Sequence, residues 1–371
     1  MRKIFLLLSV ALFVAVTSTT VHAQTEEIIT DPDYYTDSVL TTVDDDVIKA
    51  LDEIGLDSFS IDDIFSVSFE RIGSYFSKTV SEKLKSCLSD ITYLLIVVVI
   101  LISVKAYFIT DQNRYISLLG VSAVVITAVN ILESVINMLI NTLSASGSFI
   151  HSYVPVYTLL LSLGGNVSSA LTYNTVTFVY AQLITLFAEN GAVPLLGAYL
   201  SLSVAFSVNS VTNLNRFISI VNKAVNTVVG FVSSTFAALL TVRGAFSASV
   251  DTVSAKSIRF LIGNLIPIVG SSISDAYSTL LGSINVIKGS VAAIGIIVII
   301  LIVVPPVIEA VLYSISFSLI SYFCEMAELN DIASVLKALS SSIKLLVMLN
   351  ILLMFILIIS TAIMLSAKGG V

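Results

Sequence analysis

The alternation of apolar and polar positions changes character several times along this chain. Between residues 262 and 287 apolar side chains recur at helical spacing: Ile262, Leu265 and Ile266, Val269, Ile273, Ala276 and Tyr277, Leu280 and Leu281, Ile284 and Ile287. The opposite side carries Ser271, Ser272, Asp275, Ser278, Thr279, Ser283 and Lys288. The pattern predicts an amphipathic helix whose polar side is mostly neutral hydroxyls. From residue 291 to 304 the polar positions stop, and the chain becomes a run dominated by Ile, Val and Leu, suited to a bilayer core. A second amphipathic helix is predicted over residues 216–243. Its apolar side carries Ile218, Val221, Val225, Val232 and Phe236, and its polar side Ser219, Asn222, Asn226, Ser233 and Ser234.

The remaining apolar stretches read as membrane segments, each needing about 20 residues to cross. They cover residues 91–109, 116–143, 153–188, 195–211, 289–323 and 345–366. Pro155 and Gly164-Gly165 predict two half-helices in the third stretch. Pro305-Pro306 predict two segments meeting at a kink in the fifth. The total is about six or seven membrane segments plus the two long amphipathic helices. Residues 144–152, free of acidic and basic residues apart from His151, read as an outer loop, and residues 325–344 as a charged surface helix. Two carboxylates fall among the apolar stretches: Glu133 within the second, and Glu309 just beyond the proline pair. Each is costly in hydrocarbon and is expected to face protein or water.

The first 88 residues differ. Arg2 and Lys3, an apolar run over residues 4–16 and the Val21-His22-Ala23 end predict a cleaved signal peptide, residues 1–23. Residues 24–88 form an acidic extracytoplasmic linker that turns amphipathic from Ile61. Its first half is expected to be flexible. Residues 89–371 then make up one multi-pass membrane domain. Composition supports this division, with 56% hydrophobic and 12% charged residues against roughly 25% charged in average soluble domains. The fold class is all-α, a polytopic membrane protein.

Candidate chemistry is sparse. Past Ala23 only His151 remains as a histidine, and Cys87 and Cys324 are far apart without metal-type spacing. The Asp44-Asp45-Asp46 run lacks the glycine and distal glutamate of a calcium loop. No phosphate-binding GxxxxGK[ST], no GxSxG elbow and no dinucleotide fingerprint occurs. Neither catalytic, cofactor nor metal sites are expected, and no feature points to nucleic acid. The hydroxyl-bearing helix sides admit two readings: close packing of membrane helices, or a lining facing water or sister subunits. Without rings of charge, such a lining suits a wide, weakly selective conduit.

One block carries a family resemblance. Pro267, Gly270, Asp275, Gly282, Lys288, Gly295 and Pro305, within the run PIVGSSISDA and its continuation, resemble stage III sporulation protein AE, with Ser271 where a second glycine is expected. Tyr153-Val154-Pro155-Val156 with Gly164-Gly165 resembles an earlier element of that family. The resemblance implies a membrane component of a secretion-like sporulation channel, needed for late forespore development. Its place would be the mother-cell membrane around the forespore. Implied partners are the other stage III sporulation A proteins, including an ATPase and ring-forming components, and indirectly stage II sporulation protein Q. A homo-oligomer in the lipid bilayer is expected. Two other functions compete: an ion-coupled secondary permease working through Glu133 or Glu309, and a non-conducting membrane scaffold.

Overall fold

The computed structural model describes residues 43–56, 69–107, 113–209, 230–242, 249–254 and 270–366, with Lys223, Thr227, Lys256 and Ser257 as single positions. The signal peptide and residues 24–42 lie outside them. Every element described is helical. In order they are α1 (Asp45–Ile54), α2 (Phe69–Tyr107), α3 (Asn113–Leu163), α4 (Val167–Phe187), a π-helical turn (Ala188–Ala192), α5 (Val193–Asn209), α6 (Gly230–Val242), α7 (Gly270–Met326) and α8 (Asn330–Ser366). Among the described residues, five rods are long and apolar enough to cross a membrane: α2, α3, α4 continued through α5, α7 and α8.

These rods are longer than the segments read from the sequence. With 51 residues in α3 and 57 in α7, a rise of 1.5 Å per residue gives roughly 75 and 85 Å, against a hydrocarbon core of about 30 Å. Pro155 does not divide the third stretch. It lies on the exposed side of α3 while Tyr153, Val154 and Tyr157 are buried, and this packing holds the helix through it. The break falls at Gly165, whose φ of 81° lets the chain turn left-handed. There the N–H of Asn166 reaches the Leu161 carbonyl at 2.9 Å, and the N–H of Gly165 reaches that of Ser162 at 3.0 Å. Pro305 and Pro306 likewise lie inside one continuous α7.

Two other expectations are corrected. Residues 144–152 are not a loop but the middle of α3, with Ser146, Phe149 and Ile150 fully buried. The first turns of α8 are not a surface helix, since Ile332, Ala333, Val335, Leu336, Leu339 and Ile343 are core residues. Charge there stays at the edge, where Lys337 pairs with Glu325 of α7.

Side-chain contacts fix how the rods lie. α7 and α8 form an antiparallel hairpin, with Ser340 bonded to Ser314 (2.9 Å) and Ser318 (2.8 Å), and Ser321 to the Ala333 carbonyl (2.9 Å). Glu328 turns the hairpin at φ 58°. The Lys105 ammonium at the end of α2 caps it, donating to the carbonyls of Ala327 (2.9 Å) and Glu328 (2.8 Å). α2 runs parallel to α7 through Lys83–Glu309 (2.6 Å), Cys87–Ser316 (3.7 Å) and Asp90–Tyr313. α3 runs antiparallel to α4, with the Tyr157 and Tyr173 rings 5.1 Å apart.

The acidic segment also folds back onto this body. Asp44 occupies the N-cap position of α1, Asp45 and Asp46 lie in its first turn where negative charge suits the helix dipole, and Gly55 ends it at φ 88°. Val47, Ala50, Leu51 and Ile54 form its buried side, packed against α2 and α7. Lys78 ties it to α2 through Glu53 at 3.1 Å. α2 then passes residue 88 without interruption.

Candidate functional site

Of the residues read as a lining, Ser233, Ser234, Ser278 and Thr279 are described with their side chains. Ser219, Asn222, Asn226 and Pro267 lie outside the described residues. Gly270, Ser271, Ser272 and Asp275 fall in the opening turns of α7. Further along, Ser278 is half-buried, while Thr279 and Gly282 are exposed. On α6, Ser233 is half-buried and Ser234 is exposed, its hydroxyl turned back to the Gly230 carbonyl at 2.7 Å. That helix is anchored by Leu240 and by Phe236, whose ring lies 5.1 Å from that of Tyr180.

The two carboxylates have different surroundings. Glu309 is held between α7 and α2 in its ion pair with Lys83, next to the Asp90–Tyr313 and Cys87–Ser316 contacts. This is a polar seam joining two rods. Glu133 is exposed, on the rim of a cavity of about 510 Å³ between α3, α5 and α8. Apolar side chains such as Leu132, Ile136, Leu200 and Leu339 line the cavity, with Asn137, Ser201 and Ser203 among them.

Glu133 belongs to a longer feature. Asn130, Glu133, Ser134, Asn137, Asn141, Ser144, Ser148 and His151 are all exposed and recur every three or four residues, so they form one stripe along α3. It rises about 30 Å, the depth of a bilayer core. The exposed positions of neighbouring α4 are Val167, Leu171, Thr175, Val179, Gln182, Leu183 and Leu186, mostly apolar. Tyr93, Ile96, Val99 and Ile100 of α2 and Phe355 and Ile359 of α8 are exposed and apolar too. One side of α3 is therefore polar, beside described rods whose exposed positions are mostly apolar. Every residue of the stripe is visible in the sequence, and a loop placed over residues 144–152 conceals its continuity.

A second missed residue is Asp251. Only 4% exposed, its carboxylate accepts from the N–H groups of Ser168 and Ser169, both at 2.9 Å. These are unpaired donors in the first turn of α4, so Asp251 caps a helix that begins more than eighty residues earlier.

Family-type positions converge in the core. Phe149, Tyr153 and Tyr157 stack along α3, with centroids 5.5 and 5.6 Å apart. The Tyr173 hydroxyl lies 3.2 Å from that of Thr361 on α8. Gly295 of α7 lies against this ladder: a Cβ built on it would stand 2.7 Å from the Tyr153 hydroxyl oxygen and closer still to its ring. Lys288, two turns earlier, is also buried.

The profile of the family described as Stage III sporulation protein AE matches residues 49–368. The chain belongs to the stage III sporulation protein AE family. The match takes in every rod of the bundle and starts within α1. Stage III sporulation protein AE of Bacillus subtilis (strain 168) is 23% identical over 222 residues, covering 59% of this chain. The chain covers 55% of that relative's length. No solved structure matches the chain. In this stage III sporulation protein AE family member, the two sequence elements that carried the resemblance, Tyr153-Val154-Pro155-Val156 and the block containing Gly295, meet at the contact between Tyr153 and Gly295.

Proposed function

We propose that this protein is a membrane component of a secretion-like channel complex linking mother cell and forespore, located in the mother-cell membrane around the forespore. Membership of a sporulation family supplies the biological setting. The observation that carries the reading is the polar stripe of α3. A row of Asn, Ser, Glu and His side chains about as long as a bilayer is deep, beside rods whose exposed positions are mostly apolar, is suited to water or protein rather than to acyl chains. Its neutral amides and hydroxyls fit a passage without strong ion selectivity. In this reading the other stage III sporulation A proteins, including an ATPase and ring-forming components, and stage II sporulation protein Q are its partners.

The test is apolar substitution within the stripe. Asn141→Leu and Ser148→Leu are expected to block spore maturation while membrane abundance stays at the wild-type level. Normal spore yield in both variants contradicts the reading. The cavity beside Glu133 favours a second reading, an ion-coupled permease. Solute uptake by reconstituted vesicles separates the two: a permease shows ion-driven uptake that Glu133→Gln abolishes, whereas a channel component shows no ion-driven uptake with or without the substitution.

A further inference from the structure

Glu133 and Lys344 are both exposed, carry opposite charges and stand at the same height in the bundle. α3 and α8 run parallel, and two contacts set their register. Gly120 meets Ile332, and the Asn350 carboxamide donates to the Leu139 carbonyl at 3.1 Å. Glu133 lies thirteen residues after Gly120, and Lys344 twelve after Ile332. Each lies six residues before its partner in the second contact. At 1.5 Å per residue the two heights agree within about 2 Å.

Within one chain the two charges emerge on different sides. Glu133 opens beside the cavity between α3 and α5. Lys344 shares its side of α8 with Ser341, which neighbours Tyr199 of α5, and with Lys337, which pairs with Glu325 of α7. Its exposed edge therefore lies between α5 and α7, with the α4–α5 rod separating it from Glu133. Among the described residues neither side chain forms an ion pair.

Copies inserted in one membrane share one orientation, so equal heights within a chain are equal heights between neighbours. A two-fold contact through α3 would set two Glu133 carboxylates against each other. A head-to-tail contact instead sets Glu133 against Lys344, and heterologous contacts of this kind close into rings when the rotation permits. We propose that Glu133 on α3 of one copy pairs with Lys344 on α8 of the next, joining copies around an axis normal to the membrane. This rests on the reading that the polar side of α3 faces protein or water, and it names the occupant at one point of that side.

The experiment uses the full-length chain in its native membrane, with Cys87→Ala and Cys324→Ala. Asn137→Cys and Met348→Cys, each one turn beyond the proposed pair, are placed on separate chains with different tags and co-expressed. Oxidation is expected to yield the mixed-tag product well above either same-tag product. Glu133→Lys on the first chain should lower that product about tenfold, and Lys344→Glu on the second should restore it. Same-tag linking through Asn137→Cys at equal strength, or no mixed product with both chains at wild-type abundance, overturns the proposal. So does restoration by Lys85→Glu, at an exposed cation on α2, in place of Lys344→Glu. Because cross-linking is read apart from sporulation, a mixed product in cells indifferent to Asn141→Leu and Ser148→Leu leaves this contact standing and sinks only the channel reading.

Discussion

The ring of Tyr153 on α3 occupies the space that any side chain on Gly295 of α7 would need. The two residues come from distant parts of the sequence, and their contact brings α7 close to the stacked Phe149-Tyr153-Tyr157 ladder. Gly295→Ala forces the Tyr153 ring or the α7 backbone to shift, an overpacking cost of about 1–3 kcal/mol. Thermal unfolding in detergent should show the loss, and Tyr153→Ala should recover part of it in the double variant. Strictly additive effects would mean that the two residues do not share the site.

Asp251→Ala removes the acceptor of two N–H groups at the start of α4. The expected loss is about 1–2 kcal/mol, with Asp251→Asn in between, because one amide oxygen still accepts. Proteolysis near residues 164–169 measures it, and the order wild type, Asn, Ala in rising cleavage is the prediction. Equal resistance of all three would show that the cap contributes nothing.

The α7–α8 hairpin makes two opposite predictions at adjacent groups. Glu328 holds a left-handed backbone that costs a non-glycine residue about 1 kcal/mol, so Glu328→Gly should be neutral or raise thermal stability. Lys105→Met leaves the carbonyls of Ala327 and Glu328 without their donor, so it should lower stability by about 1–2 kcal/mol. Both are read by thermal unfolding in the same detergent. Destabilisation by Glu328→Gly comparable to that by Lys105→Met would contradict the account of the turn.

Hydropathy and helical spacing located every long rod, since runs such as residues 91–104 and 345–365 have few alternatives to a membrane helix. They did not give rod length. Proline and uncharged polar residues read locally as breaks, yet Pro155 and residues 144–152 are carried through α3 by the buried Tyr153, Phe149 and Ile150. The start of α1 was legible in principle. Asp44 to Asp46 followed by Val47, Ala50, Leu51, Ile54 and Gly55 is a helix start, an apolar stripe and a helix stop, and the acidic composition hid it. The part played by Asp251 was not legible, because its partners are two backbone groups more than eighty residues away. Lys105 falls in the same class, because its acceptors belong to a turn more than two hundred residues later.

The central claim is that the polar stripe of α3 is turned away from lipid. A photoactivatable probe confined to acyl chains, applied to membranes carrying single reporter residues, measures this directly. Labelling is predicted to be strong at Leu171 and Val179 on the exposed side of α4 and near background at Asn141, Ser144 and Ser148. Equal labelling of the two sets would place the stripe in contact with lipid and contradict the account.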